Sequence, residues 1–272
     1  MLLIISAFLS CRSNTKQAIK DTASTTTAST NETQALIKEF KPIIQGVWVK
    51  SDYIDRIIKT KSPLASADKA DGITTMIINT DFIKGDSLVV DAGYGNHEGG
   101  NATIKFKPGK AASTIIFNDN DLKYSIENGD TILLIKEIIL PDNKIELVKY
   151  IKSPVEHPNE LGAGLYQMVN TVLVVGNYTL TDSTGKISNI HFSADGKVNG
   201  FMDFNKYEIN VDLNSDAMDN LDEILFDYDS KNVASYSFKI DADTLKLYAT
   251  RANADSTESI IDKLKFKLVR RK

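Results

Sequence analysis

The chain has 272 residues, 42% of them hydrophobic, which is enough apolar material for two modest domains with a core each. A formal net charge of −4, with 32 Lys and Arg set against 36 Asp and Glu, leaves no basic footprint and argues against nucleic acid as a partner; the five bases of residues 265–272 read as a solvated strand end. Cys11 is the single cysteine, which excludes an internal disulfide and a zinc site built from several thiolates.

At the N-terminus, residues 2–9 form an apolar run far shorter than the roughly 20 residues that a spanning helix needs. The run ends in Phe8-Leu9-Ser10-Cys11 and gives way to polar chain. This stretch resembles a bacterial lipoprotein signal, with residues 8–11 similar to a lipobox. The resemblance implies a signal peptide at 1–10, cleavage before Cys11 and lipid attachment to Cys11, so that the membrane is a partner through the anchor. Arg12 replaces the Asp that such lipoproteins carry for inner-membrane retention, which implies the cell outer membrane. The other reading of Cys11 is an incidental or buried thiol. Residues 12–34 are rich in Ser, Thr, Ala and Asn with Ile19 as the one large apolar side chain, too little to repay ordering entropy. Residues 11–34 are therefore predicted to be a disordered, flexible tether.

From Ala35 the pattern changes. Leu36, Ile37, Phe40, Ile43 and Ile44 lead into Gly46-Val47-Trp48-Val49, the first strand. Residues 51–59 set Tyr53, Ile54, Ile57 and Ile58 at helical spacing, with Ser51 or Asp52 as N-cap and Pro63 as a stop, predicting a short helix that closes one end of a barrel. Strands follow at 74–79, 87–92, 102–107, 114–118, 123–126, 131–138 and 144–151, divided by turn clusters such as Pro108-Gly109 and Asn128-Gly129-Asp130. Residues 154–175 form a joint with Pro154, Pro158 and a helix predicted over 159–170; Gln167 and Asn170 interrupt its apolar run and mark it as a packed connector. Beyond it, Tyr207, Ile209, Val211 and Leu213 alternate with Glu208, Asn210 and Asp212, and the turn clusters 182–185 and 194–196 complete the signature of an antiparallel meander.

The second half repeats the first in order. Gly46-Val47-Trp48 recurs as Gly176-Asn177-Tyr178, Ile116-Phe117-Asn118 as Leu225-Phe226-Asp227, Tyr124-Ser125-Ile126 as Tyr236-Ser237-Phe238, residues 129–134 as 242–247 and residues 144–147 as 263–266. Residues 35–153 and 176–272 thus form two β units. On Gly46-Val47-Trp48, Gly176-Asn177-Tyr178, the 192–198 hairpin and the closing 243–248 and 265–270 strands, each unit resembles a lipocalin-like domain of the calycin type. The resemblance implies an all-β fold of two tandem small antiparallel meander β-barrels with short helices; a two-sheet sandwich is the alternative. In lipocalins an Arg late in the barrel stacks on the first-strand Trp, a role the resemblance gives to Arg270 over Tyr178, and in the first unit to Lys149 or Lys152.

No catalytic constellation is visible. His97 sits in a Gly-rich hairpin, His157 beside Pro158 and His191 on the polar phase of a strand, none with a partner at metal or triad spacing. The acidic clusters at 118–121 and around Asp212, Asp216, Asp219, Asp222 and Glu223 lack the EF-hand glycine, Leu122 standing in its place after the first. No cofactor and no metal are expected. Two readings of function follow. One is a non-catalytic lipid-anchored protein whose barrels bind a small, apolar ligand, in the first barrel by preference because its strands carry fewer aromatics, with Trp48 as candidate ligand-binding residue. The alternative is an envelope structural or protein-interaction module with solidly packed barrels and an envelope protein partner; interior volume separates the two.

Overall fold

The computed structural model describes residues 21–139, 144–213 and 219–271. Cys11, the signal sequence and Asp216 lie outside the described residues. The fold is mostly β, with three α-helices and sixteen strands among the described residues.

The first eight strands are β1 (Gly46–Lys50), β2 (Ile73–Ile78), β3 (Ser87–Tyr94), β4 (Glu98–Pro108), β5 (Ile115–Phe117), β6 (Asn120–Glu127), β7 (Asp130–Ile139) and β8 (Lys144–Lys152). Each runs antiparallel to its neighbour in the chain, and β8 pairs back on β1, with Lys152 opposite Trp48 and Tyr150 opposite Lys50, to close a barrel. The two-residue period explains which side chains face in: on β3 Leu88, Val90 and Ala92 are buried while Val89 and Asp91 are exposed, and on β4 Ala102, Ile104 and Phe106 are buried while Lys105 and Lys107 are exposed.

Helix α1 (Asp21–Ile44) plugs one end of this barrel with Phe40 and Ile44, which join Trp48 in the barrel's core cluster. Phe40 meets Tyr124 edge-on at 5.4 Å. Residues 21–34 continue this helix where the sequence predicts tether. The segment contains neither Gly nor Pro to break the helix, although its six Thr and two Ser are weak helix formers and Pro42 stands inside the helix further on.

Helix α2 (Ser51–Thr60) leaves β1 without a linker, so the N-cap position falls on Lys50, in extended conformation, rather than on Ser51 or Asp52. Ser51 instead donates from its hydroxyl to Asp55 at 3.1 Å. Lys61 ends the helix in a left-handed conformation, φ 57°, its N–H reaching the Ile57 carbonyl at 2.8 Å. The apolar face of α2 does not close the first barrel. Tyr53, Ile54 and Ile57 join the core of the second sheet, together with Leu165, Val169 and Leu173 of α3 (Ala163–Leu173), the connector helix.

The second sheet comprises β9 (Gly176–Thr181), β10 (Ile187–Phe192), β11 (Val198–Asn199), β12 (Tyr207–Ile209), β13 (Glu223–Phe226), β14 (Ala234–Asp241), β15 (Thr244–Ala252) and β16 (Ser259–Arg270). Its order is β11-β10-β9-β16-β15-β14-β13-β12, so β16 pairs with β9 as β8 pairs with β1. The edges β11 and β12 meet through one bridge, Lys197 with Lys206, where the Tyr207 N–H donates to the Gly196 carbonyl at 2.7 Å. β12 ends at Ile209, short of the strand expected through Leu213. There the chain turns to the 94–98 hairpin of the first barrel: Asn96 donates to the Val211 carbonyl at 3.2 Å and His97 contacts Asp212 at 2.8 Å. The core is aromatic, Phe226 stacking on Phe204 at 4.8 Å and meeting Phe201 at 5.1 Å.

Candidate binding cleft

Trp48 is fully buried. Its indole N–H donates to the Ile44 carbonyl at 2.7 Å, and the Lys152 ammonium lies 5.8 Å from the ring centroid. The second unit repeats the device: the Tyr178 hydroxyl donates to the Val174 carbonyl at 2.9 Å and the Arg270 guanidinium lies 5.2 Å from the ring. Both arrangements need the glycine two residues earlier. Gly46 and Gly176 have φ of 127° and 149°, and a Cβ on Gly46 would meet the Lys152 side chain at 2.7 Å. A third device also recurs. Asn118 and Asp227 both adopt left-handed backbone, at φ 52° and 47°, each side chain accepting from the backbone N–H of the residue whose carbonyl its own N–H reaches, Thr103 and Lys206 respectively.

The interior of the first barrel is occupied by its own side chains: Trp48, Phe106, Phe117 and Tyr150 belong to its fully buried set, with Met76, Leu88 and Ile104 among them and Phe40 from α1 above. At the end away from α1 sits a polar group. The Tyr150 hydroxyl contacts the Ile73 carbonyl at 2.9 Å and the Glu137 carboxyl, while Lys50 donates to the Asp71 carbonyl at 2.5 Å. Burial pushes the Glu137 carboxyl up, Tyr150 and Lys50 partly opposing it, and pushes the Lys50 ammonium down. A hydroxyl has one proton, so Tyr150 donates to Ile73 or to Glu137 at any moment, and its bond to the Glu137 carboxylate is the one that opposes the upward displacement.

The surface offers a cleft of about 550 Å³ between the connector and the open edges of the second sheet. The 155–170 segment forms one wall, including Glu160, Tyr166, Gln167 and Asn170; the other comes from the 194–197 turn and from Lys206, Tyr207, Glu208 and Tyr228. A smaller cavity of about 300 Å³, lined by Thr75, Asn96 and Gly99, lies on the barrel side of Glu160. Neither cavity is lined by Trp48 or by the apolar side chains inside the first barrel.

Burial of the cleft walls has electrostatic consequences. The Tyr166 hydroxyl is pushed up to about 12, by burial first and then by Glu208 and Glu160. Glu208 is raised by burial and by Glu160, against a hydrogen bond from Tyr228. Asn170 donates to the Ala194 carbonyl at 3.2 Å, but its buried Oδ1 and that of Gln167, Oε1, accept nothing from the described residues. The two amides inside the apolar α3 sequence were the available signal for this cleft; without the second sheet opposite them they mark only a polar helix face.

Of the sequence-derived candidates, His157 lines the cleft. His97 and His191 have partners invisible in the sequence, Asp212 and Asn177, at 2.8 and 2.9 Å, and the Asp212 hydrogen bond raises His97. The acidic clusters are braces. Asp121 accepts from the Lys110 N–H at 2.7 Å and from Lys136 at 3.3 Å, and Asp222 accepts from the Leu64 N–H at 2.9 Å. Among the described residues no three His, Cys, Asp or Glu side chains are grouped to hold a metal, and no helix is long and apolar enough to cross a membrane. Compared with family models, curated proteins and solved structures, the chain matches none.

Proposed function

We propose that this protein is a non-catalytic recognition module of the cell envelope. It consists of two lipocalin-like barrels, the second built from β9–β16, and is carried on the outer membrane by a lipid at Cys11. The barrel interiors serve stability, and contact with a ligand or partner is made outside them, at the connector cleft. The observation that carries this reading is the filling of the first barrel, where Trp48, Phe106, Phe117 and Tyr150 are buried with Phe40 over them. An eight-stranded barrel is of the size that its own side chains can fill, and an apolar guest would have to displace them. The recurrence of Gly46, Trp48 and Lys152 as Gly176, Tyr178 and Arg270 supports a shared design for both units.

The test follows two signals in one sample. Fatty acid and an apolar dye are titrated against the fluorescence of Trp48, the only tryptophan, and amide shifts are mapped with separate sets of apolar, neutral polar and charged small molecules. Unchanged Trp48 emission with shifts gathered at 155–170 and 194–208 is expected. Saturable quenching of Trp48 by fatty acid overturns the proposal in favour of an apolar ligand inside the first barrel.

A further inference from the structure

The lining of the connector cleft is one-sided in its hydrogen-bonding chemistry. Asn170 is 3% exposed, and its amide nitrogen is already committed to the Ala194 carbonyl, so the orientation that satisfies the nitrogen leaves Oδ1 waiting for a donor. Gln167, one turn earlier on α3, has its Oε1 in the same condition. Buried acceptors without donors are uncommon in folded proteins because each has given up its water for nothing. Neither oxygen has surface open to the cleft as the side chains stand, so two of them behind one wall point to a ligand that brings N–H or O–H groups and turns the amides toward it.

Charge narrows the choice. Glu156, Glu160 and Glu208 line the cleft, and the two lysines that also line it are spoken for, Lys197 by Asp195 and Lys206 by Asp229, each at 2.5 Å. Among the described residues Glu160 and Glu208 have no Lys or Arg within ion-pair distance, and Glu160 adds to the burial that displaces Glu208 upward against its hydrogen bond from Tyr228. A neutral polyol would answer the amides and leave these carboxylates uncompensated; an anion would worsen them. A bare metal ion finds no group of three ligands here. The remaining walls include His157 and the rings of Tyr166, Tyr207 and Tyr228, the rings being surfaces on which a desolvated cation is stabilised.

Resting on the reading that recognition occurs at this cleft, we infer that it takes an organic cation, an alkylammonium or guanidinium group whose N–H donors reach Asn170 and Gln167 while its charge lies between Glu160 and Glu208. A volume of about 550 Å³ accommodates several linked atoms beyond the charged head. Two sources carry this chemistry, a free polyamine and the Lys or Arg side chain of a partner protein.

The experiment titrates the full chain, by calorimetry and amide shifts, with spermidine and separately with an acetylated, amidated Lys-Arg-Lys peptide. Sodium chloride at matched ionic strength, cellobiose and glutarate are run beside them. Saturable binding of a cation with shifts at Tyr166 and Tyr228 is expected, weakened about tenfold or more in Glu208→Gln, since that change removes a charge-assisted contact. Glu160→Gln, on the exposed connector, should weaken it in the same direction, and an unchanged thermal midpoint shows that neither variant acts by unfolding. Tighter binding of the peptide assigns the cation to a protein partner, and tighter binding of spermidine to a free amine; both support the inference. Cations no better than matched salt, with cellobiose or glutarate shifting the same residues, overturn the cation while the cleft remains the recognition site. If no probe of any class shifts the cleft, the recognition reading itself falls and the cation with it.

Discussion

Arg270 lies over the ring of Tyr178 and also donates to its hydroxyl, at 2.7 Å from Nη2, while the same Nη2 reaches the Leu173 carbonyl at 3.2 Å. One guanidinium thus ties β16 to β9 and to the last residue of α3. Arg270→Ala should cost about 2–4 kcal/mol, combining a cation–π contact with hydrogen bonds to a charged donor. Arg270→Lys should recover less than half of this, because an ammonium lacks the planar fork. The counterpart Lys152→Ala should cost under about 1 kcal/mol, since Lys152 is exposed and only approaches Trp48. Urea midpoints at constant m-value measure all three.

The Glu137 carboxyl, buried beside Tyr150, gives a pH dependence of definite sign. Its folded value is raised above the ordinary 4.5, burial being the main cause, so the folded state holds a proton that the unfolded chain releases earlier. The contribution of Glu137 is fully present below about pH 4.5 and is lost as pH rises through its folded value. Tyr150, pushed well above 10, stays protonated throughout that window. Wild-type stability measured against Glu137→Gln, which cannot titrate, should fall as pH rises from 4.5. A flat difference between the two would show that Glu137 is not the group responsible.

The burial of Tyr53, Ile54 and Ile57 in the second core means that α2 serves a sheet that begins over 100 residues later in the chain. Ile57→Ala removes a fully buried side chain and should destabilise by about 2–5 kcal/mol. Hydrogen exchange should rise in β9, β10 and β13 as well as in α2. A fragment of residues 159–272 should unfold at a lower denaturant concentration than the intact chain, because it lacks the α2 surface.

For the anchor, Cys11→Ser should abolish lipid attachment and the cleavage that depends on it, leaving an unacylated chain that retains residues 1–10. Two or more acyl chains, at about 0.8 kcal/mol per buried CH₂, hold a protein stably where one does not. Mass spectrometry of the wild-type N-terminal peptide decides the matter: an unmodified Cys11 defeats the lipoprotein proposal.

Most strands of the first barrel were legible because β3 and β4 have one buried face and one wet face, and a period of two in the sequence has no other outlet. The cation over the first-strand ring followed from the lipocalin resemblance, which named Arg270 for Tyr178 but left Lys149 and Lys152 open for Trp48; Lys152 takes the place, and Lys149 pairs with Glu127. What was not legible depends on chain segments that meet only in three dimensions. The helical period of 51–59 says that Tyr53, Ile54 and Ile57 are buried without saying against which sheet. The alternation from Tyr207 to Leu213 persists in burial, Val211 being 3% exposed, yet the backbone beyond Ile209 leaves the sheet for Asn96 and His97. The cleft was hidden for the same reason, its walls coming from 155–170 and 194–228.

The pairing of β8 with β1 sets an order for assembly. The barrel has no hydrogen-bonded closure until residues 150–152 reach residues 48–50, so a ribosome that has released less of the chain holds a sheet with two raw edges. Once that seam forms, α2 is fixed at the end of β1, and Tyr53, Ile54 and Ile57 present a finished apolar face before β9–β16 have emerged. On that order the second sheet is expected to condense on the α2 face, and its own seam at Lys197 and Lys206, a single bridge, can be the weaker of the two.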